Sequence, residues 1–197
     1  MDRLHVVVAV ALASFGCKEG DSKNAPASGR VNAATNSTKP QKAADPSAFC
    51  DVEPGGAAKF AFPALDGEPP KAAATWRWIN VWATWCKPCV EELPRLAKWT
   101  ERLSAKAAPI ELILLSVDET RAAIATYEKK HGPVGDTARL ADPEALKPWL
   151  VGLGLDEGAP LPVHILVAPD GRARCLRSGA IADRDYDNIA ALLTASR

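Results

Sequence analysis

Cys86 and Cys89 stand two residues apart in Trp85-Cys86-Lys87-Pro88-Cys89, the spacing of a redox dithiol. Thiol–disulfide exchange needs one thiolate to attack a sulfur and a second thiol to resolve the mixed disulfide that results. A thiolate forms most readily where the backbone supplies positive potential, as the free N–H groups and dipole of a helix start do. Upstream, Trp78-Ile79-Asn80-Val81-Trp82 reads as a buried strand. Downstream, Val90, Leu93, Leu96 and Ala97 recur at helical spacing. Cys86 therefore falls at a strand-to-helix junction. Pro88 fits the first helical turn, where its missing N–H costs nothing. Cys89, one turn in, is placed to attack a mixed disulfide on Cys86. Lys87 faces solvent, so its share in lowering the Cys86 pKa is small.

The surrounding pattern predicts the elements that hold this pair. Strands are expected over residues 76–82, 110–117, 163–167 and 173–176, and helices over 86–104, 120–131, 143–151 and 183–195. Pro94 is expected to kink the first helix, and Asp183 to cap the last. Residues 59–65 read as a short edge strand or extended segment. Strands separated by helices imply parallel crossovers, and the final pair, joined at Ala168-Pro169-Asp170-Gly171, implies an antiparallel hairpin. The fold class is α/β, with a mixed central sheet flanked by helices on both faces.

The 197 residues carry 24 basic and 24 acidic side chains, with no block of either sign, so neither nucleic acid nor a polybasic membrane contact is indicated. Residues 4–15 form an apolar run after Met1-Asp2-Arg3, of signal-peptide length and too short to span a bilayer. The run ends at Gly16-Cys17. This junction resembles a bacterial lipobox, with Ser14 and Phe15 standing where that pattern carries Leu and a small residue. The resemblance implies a lipid anchor at Cys17; plain secretion and an uncleaved anchor are the alternatives. Residues 18–48 are rich in Ala, Ser, Asn, Lys and Pro and read as a flexible tether, leaving 49–197 as the globular domain. Such targeting places the domain outside the cytoplasm, in a periplasm-like compartment that permits disulfides.

Asn80-Val81-Trp82-Ala83-Thr84-Trp85-Cys86-Lys87-Pro88-Cys89-Val90-Glu91-Glu92-Leu93-Pro94 closely resembles the TlpA/ResA-type thiol–disulfide oxidoreductases of the thioredoxin fold. The resemblance runs from about residue 60 to the C-terminus. It implies that Cys86 is the exposed nucleophile and Cys89 the buried resolving cysteine, joined as a redox-active disulfide. It implies that Leu161-Pro162 is the cis-proline site, with Pro162 beside the disulfide, and that Glu92 is an acidic residue near it. Trp85, Lys87, Pro88 and Leu161 would shape the active-site surface. Ordinary thioredoxins carry a buried Asp where this chain has Asn80. Asn cannot take a proton, so Glu92 is the candidate for proton exchange with Cys89. The resemblance further implies a reductant of specific protein disulfides, often in cytochrome c maturation, supplied with electrons by a membrane partner. No cofactor is implied, because the two sulfurs carry the electrons themselves.

Other chemistries fit less well. No second Cys pair or spaced His pair follows to complete a zinc site, and Val90 stands where haem attachment needs His. A thioredoxin-fold copper chaperone would add a His to the Cys pair, and His164 could be offered, although a strand His reads first as structural. A redox-inactive binding domain on a lipoprotein tether is the third reading, against which the intact pair argues. Five cysteines leave Cys50 and Cys175 after Cys17, Cys86 and Cys89 are assigned. In an oxidising compartment these two are expected to form a structural disulfide across the N-terminal segment and the last hairpin.

Overall fold

The computed structural model describes residues 44–55, 59–71, 74–133, 135 and 137–195. The apolar leader, Cys17 and most of the expected tether lie outside them. Strand β1 (Trp76–Trp82) is buried at every residue because it runs through the middle of a five-stranded sheet of order β3-β2-β1-β4-β5. β2 (Ile110–Ser116) lies parallel to it, with Asn80 opposite Leu114. β4 (Val163–Val167) lies on its other side, antiparallel, with Asn80 opposite His164. β5 (Ala173–Ser178) closes the hairpin with β4. β3 (Thr137–Arg139) is a short parallel edge strand on β2.

Two features depart from expectation. β3 carries three half-buried residues, too few to show an alternating pattern. The parallel crossovers connect β1 to β2 and β2 to β3. The chain then returns past β1, so β4 is antiparallel to β1 rather than one more parallel strand.

α1 (Lys87–Lys106) runs through Pro94 as one helix and buries Cys89, Glu92, Leu93, Leu96, Trp99 and Leu103, which the helical repeat gathers on one face. α2 (Arg121–His131) starts at Thr120, whose side chain accepts the Ala123 N–H, and stops at Gly132 with φ 91°. α3 (Leu146–Gly152) and α4 (Tyr186–Ala195) each follow a single 3-10 turn, so the helices expected from 143 and 183 begin as tighter turns. At α4 the expected cap differs. The Asp185 carboxylate takes the Ala182 N–H at 2.7 Å, while Asp183 pairs with Arg95 at 3.2 Å. Residues 59–65 form an extended segment, held by one bridge between Leu65 and Leu140 and by the Phe60 N–H on the Gly171 carbonyl at 2.8 Å.

Packing begins slightly before residue 49. Pro46–Phe49 makes a 3-10 turn that buries Phe49, and Val52 bridges to Leu176, covering the otherwise open edge of β5. Trp76, Trp78, Trp82 and Trp99 lie in the core; Trp149 is half-buried against Phe60. Among the described residues no helix is long and apolar enough to cross a membrane.

Candidate active site

β1 delivers the chain to the C-terminal end of the sheet, and a short turn, Ala83-Thr84-Trp85, leads into α1. Cys86 is the N-cap of α1 and Pro88 lies in its first turn. The Cys86 N–H donates to the Ala83 carbonyl at 3.1 Å, and the Cys86 carbonyl accepts the Val90 N–H at 3.0 Å. Cys86 and Cys89 are joined as a disulfide with Cα atoms 5.3 Å apart. The Cys86 side is the accessible one, although only relatively: Cys86 is 6% exposed and Cys89 0%. The resemblance implied an open nucleophile; here it sits nearly flush with the surface, beside Trp85, which is 69% exposed. Lys87 and its neighbour Glu91 form an exposed pair at 3.5 Å, as solvated side chains on one helix face do. The Leu161-Pro162 peptide is cis.

Glu92 is not a solvated helix acid: it is 1% exposed. It lies one turn beyond Cys89, on the same face of α1. Its Oε1 accepts the Asn80 side-chain amide at 2.8 Å, and its Oε2 accepts the Ile181 N–H at 3.0 Å. Burial nevertheless dominates, pushing its carboxyl up to about 7 against the opposing pull of these two donors and of Arg95 and Arg177. A carboxyl poised there can take or give a proton at neutral pH. Ile181 is fixed from both sides, since its carbonyl accepts Arg95 at 2.9 Å.

Asp118, just beyond β2, was not singled out by its sequence context, although the C-terminal end of a central strand is where open α/β sheets place their sites. It is buried and accepts from the Thr84 N–H at 3.0 Å, the Thr84 hydroxyl at 2.7 Å and the Ser116 hydroxyl at 2.8 Å. It therefore pins the turn that carries Trp85 and Cys86. Asp118→Ala leaves those three donors without their acceptor, and urea unfolding should show a loss on the order of 2–3 kcal/mol. The same variant should slow exchange, because the Cys86 turn loses its anchor.

His164 is wholly buried and turned toward Trp78, Asn80 and Glu92. Among the described residues no group of three or more His, Cys, Asp and Glu could hold a metal ion. Cys50 and Cys175 are placed in a second disulfide, Cα atoms 5.3 Å apart and 125 residues apart in sequence.

No protein-family model matches the chain. The thiol–disulfide oxidoreductase ResA of Bacillus subtilis is 26% identical over 114 residues, 56% of this chain and 59% of that protein. ResA of Bacillus cereus is 31% identical over 94 residues, 48% of this chain and 49% of that protein. The chain thus spans about half the length of the curated relatives it matches. Two Chlorobium tepidum structures share the fold. One, a DsbE-type thiol:disulfide interchange protein, is 20% identical with a TM-score of 0.53, the match covering 72% of this chain and 98% of that one. The other, a thioredoxin-family thiol:disulfide interchange protein, is 24% identical with a TM-score of 0.53, covering 73% and 99%. With a mixed five-stranded sheet and a Cys-x-x-Cys disulfide at the start of α1, the chain has the thioredoxin fold of these structures and, over about half its length, is similar in sequence to the ResA oxidoreductases.

Proposed function

We propose that the chain is an extracytoplasmic protein thiol–disulfide oxidoreductase that reduces specific protein disulfides, of the kind needed in cytochrome c maturation. The observation that carries this reading is the Cys86–Cys89 disulfide at a helix start, with Glu92 buried one turn further along. In the dithiol form, the Cys86 thiolate attacks one sulfur of a substrate disulfide, and the other substrate sulfur leaves as a thiolate. Cys89 then passes its proton to the Glu92 carboxylate and attacks the Cys86 sulfur. The Cys86–Cys89 disulfide forms and the second substrate thiolate is released. Two electrons have moved from the protein dithiol to the substrate, and the released thiolates take up protons. A membrane dithiol donor returns the two electrons. A lipid anchor at Cys17 would keep the domain beside that donor, and Trp85, Leu161 and Pro162 would receive the substrate chain.

The reduction potential of Cys86–Cys89 tests the direction of flow. A reductant should sit nearer the ~−270 mV of thioredoxin than the ~−120 mV of a strong oxidant such as DsbA. A value at the oxidising end would reverse the assignment.

Glu92 also leaves a signature in stability. Its carboxyl, raised from 4.5 to about 7, makes the folded protein hold an extra proton in that window, so its contribution falls as pH rises from about 4.5 to 7. His164, lowered by burial and by Arg177 from 6.5 to about 3, does the opposite: the unfolded chain holds the extra proton, and stability rises with pH across its window. Where the windows overlap the two offset each other. Glu92→Gln removes only the falling term. The stability of the oxidised variant relative to wild type should therefore climb between about pH 4.5 and 7, with a slope approaching ~1.4 kcal/mol per unit. Urea unfolding at a series of pH values reads this directly; parallel curves for the two proteins would rule out the raised carboxyl.

A further inference from the structure

His164 lies on β4 directly opposite Asn80 on β1, beneath α1, with no solvent exposure. The exchange steps do not use it. Its ring nitrogens are nevertheless not equivalent. Trp78 Nε1 donates to His164 Nδ1 at 3.2 Å. An indole nitrogen is only ever a donor, so Nδ1 must present its lone pair and the imidazole proton belongs on Nε2. The Asn80 amide nitrogen, 3.4 Å from Nδ1, is a second donor facing the same lone pair. Nε2 lies 3.4 Å from Glu92 Oε1 and makes no complete hydrogen bond. A buried N–H donor thus stands 3.4 Å from the carboxyl proposed to change protonation during exchange, without a formed hydrogen bond to it.

The charged groups around the pair are few. Arg177 on β5 is the register partner of His164 and lies 3.9 Å from Asp185; Arg95 on α1 acts on Glu92. Burial, helped by the cationic Arg177, keeps the imidazole neutral. The Gly179 backbone, as a hydrogen-bonding partner, acts on the ring in the opposite sense, so Gly179 competes with Glu92 for the ring N–H. Phe49 packs on the ring at 6.2 Å between centroids, closing the site from the N-terminal segment. The contact between His164 and Glu92 is therefore a neutral N–H facing a carboxyl, and not a fixed ion pair.

We propose that His164 is a positioning residue for proton exchange at Glu92: Trp78 locks its ring as the Nε2–H tautomer, and that N–H closes onto Oε1 as a third donor when the carboxyl is ionised. The inference rests on the role of Glu92 proposed above. With Asn80 and Ile181 already donating, the ionised carboxylate gains the His164 donor, and the protonated carboxyl lets it relax to the separation seen here. His164 then tunes the pH at which Glu92 gives up its proton without itself changing charge.

Nitrogen-15 NMR of the wild-type imidazole tests the tautomer without any variant. The Nε2–H form at neutral pH is expected; an Nδ1–H form or an imidazolium would overturn the proposal. Carbon-13 titration of the Glu92 carboxyl tests the coupling. His164→Phe should move its midpoint upward by roughly half a unit to one unit, because a donor to the ionised form is lost. His164→Gln, which keeps a side-chain N–H, should move it less. Trp78→Phe, which frees the tautomer, should move it in the same direction as His164→Phe. If His164→Phe does not fold, His164→Gln and the wild-type tautomer still decide. A Glu92 midpoint unmoved in every folded variant, whatever the loss of stability, would leave His164 a packing residue and defeat the proposal. The Glu92 role fails separately: if Glu92→Gln leaves the pH profile of exchange unchanged, the carboxyl is not the proton partner, even where the titrations show it coupled to His164.

Discussion

Replacing Cys89 with Ser is expected to arrest the protein as stable mixed disulfides with its substrates, while replacing Cys86 with Ser abolishes both exchange and trapping. The asymmetry follows from position. Cys86 caps α1, where the free N–H groups of the first turn stabilise a thiolate, and it is the more accessible of the two sulfurs. Cys89 is fully buried and can reach only a sulfur already attached to Cys86. Removing it leaves the first attack intact and the second impossible, so the covalent intermediate accumulates. Removing Cys86 leaves no reachable nucleophile, and exchange should fall to the uncatalysed rate. Non-reducing gels of each variant mixed with an oxidised protein substrate read the outcome. Equal trapping by both variants would reverse or erase the division of labour.

What the sequence made legible follows where single residues speak for themselves. The Cys-x-x-Cys spacing, the apolar run of β1 and the amphipathic period of α1 are local patterns, and they suffice to place Cys86 at a strand-to-helix junction. The β4–β5 hairpin is likewise local, because Pro169 and Gly171 mark its turn. Long-range relations were not legible. β3 has too few residues to show a period, and the antiparallel direction of β4 depends on which side of β1 the chain returns to. Glu92 could be read as a surface acid from its position among Glu91, Arg95 and Lys98. Only the folded chain shows that Asn80 on β1 and Ile181 in the segment after β5 bind it in the interior. Asp118 gave no signal, and His164 read only as a structural strand residue or an offered metal ligand, because the partners that define their roles lie 34 or more residues away, Thr84 for the first and Trp78 for the second.

The largest stability effect is expected from the second disulfide. A Cys50→Ser, Cys175→Ser double variant should unfold with a loss of ~4–5 kcal/mol, the chain-entropy value for a loop of this length. The link closes a loop of 125 residues, and its Cα separation of 5.3 Å lies inside the range that bridged cysteines adopt. Beyond constraining the unfolded chain, it fastens a segment with few other holds. Asp51 and Val52 both donate backbone N–H groups to the Leu176 carbonyl, the Val52 carbonyl accepts the Leu176 N–H, and the Phe49 carbonyl accepts Arg177 at 3.2 Å. Phe49 is the core residue of that segment, and it sits on His164. Releasing the segment would uncover the β5 edge and admit water toward the buried imidazole and carboxyl. Hydrogen exchange separates the two contributions. If the link acts locally as well as through the unfolded state, the Val52 and Leu176 amides should lose protection in the double variant well before those of β1, and the raised Glu92 carboxyl should fall toward its ordinary value as water reaches it. A stability loss below about 1 kcal/mol, with Val52 and Leu176 still protected, would mean that packing of Phe49 alone holds the segment and that the disulfide adds little.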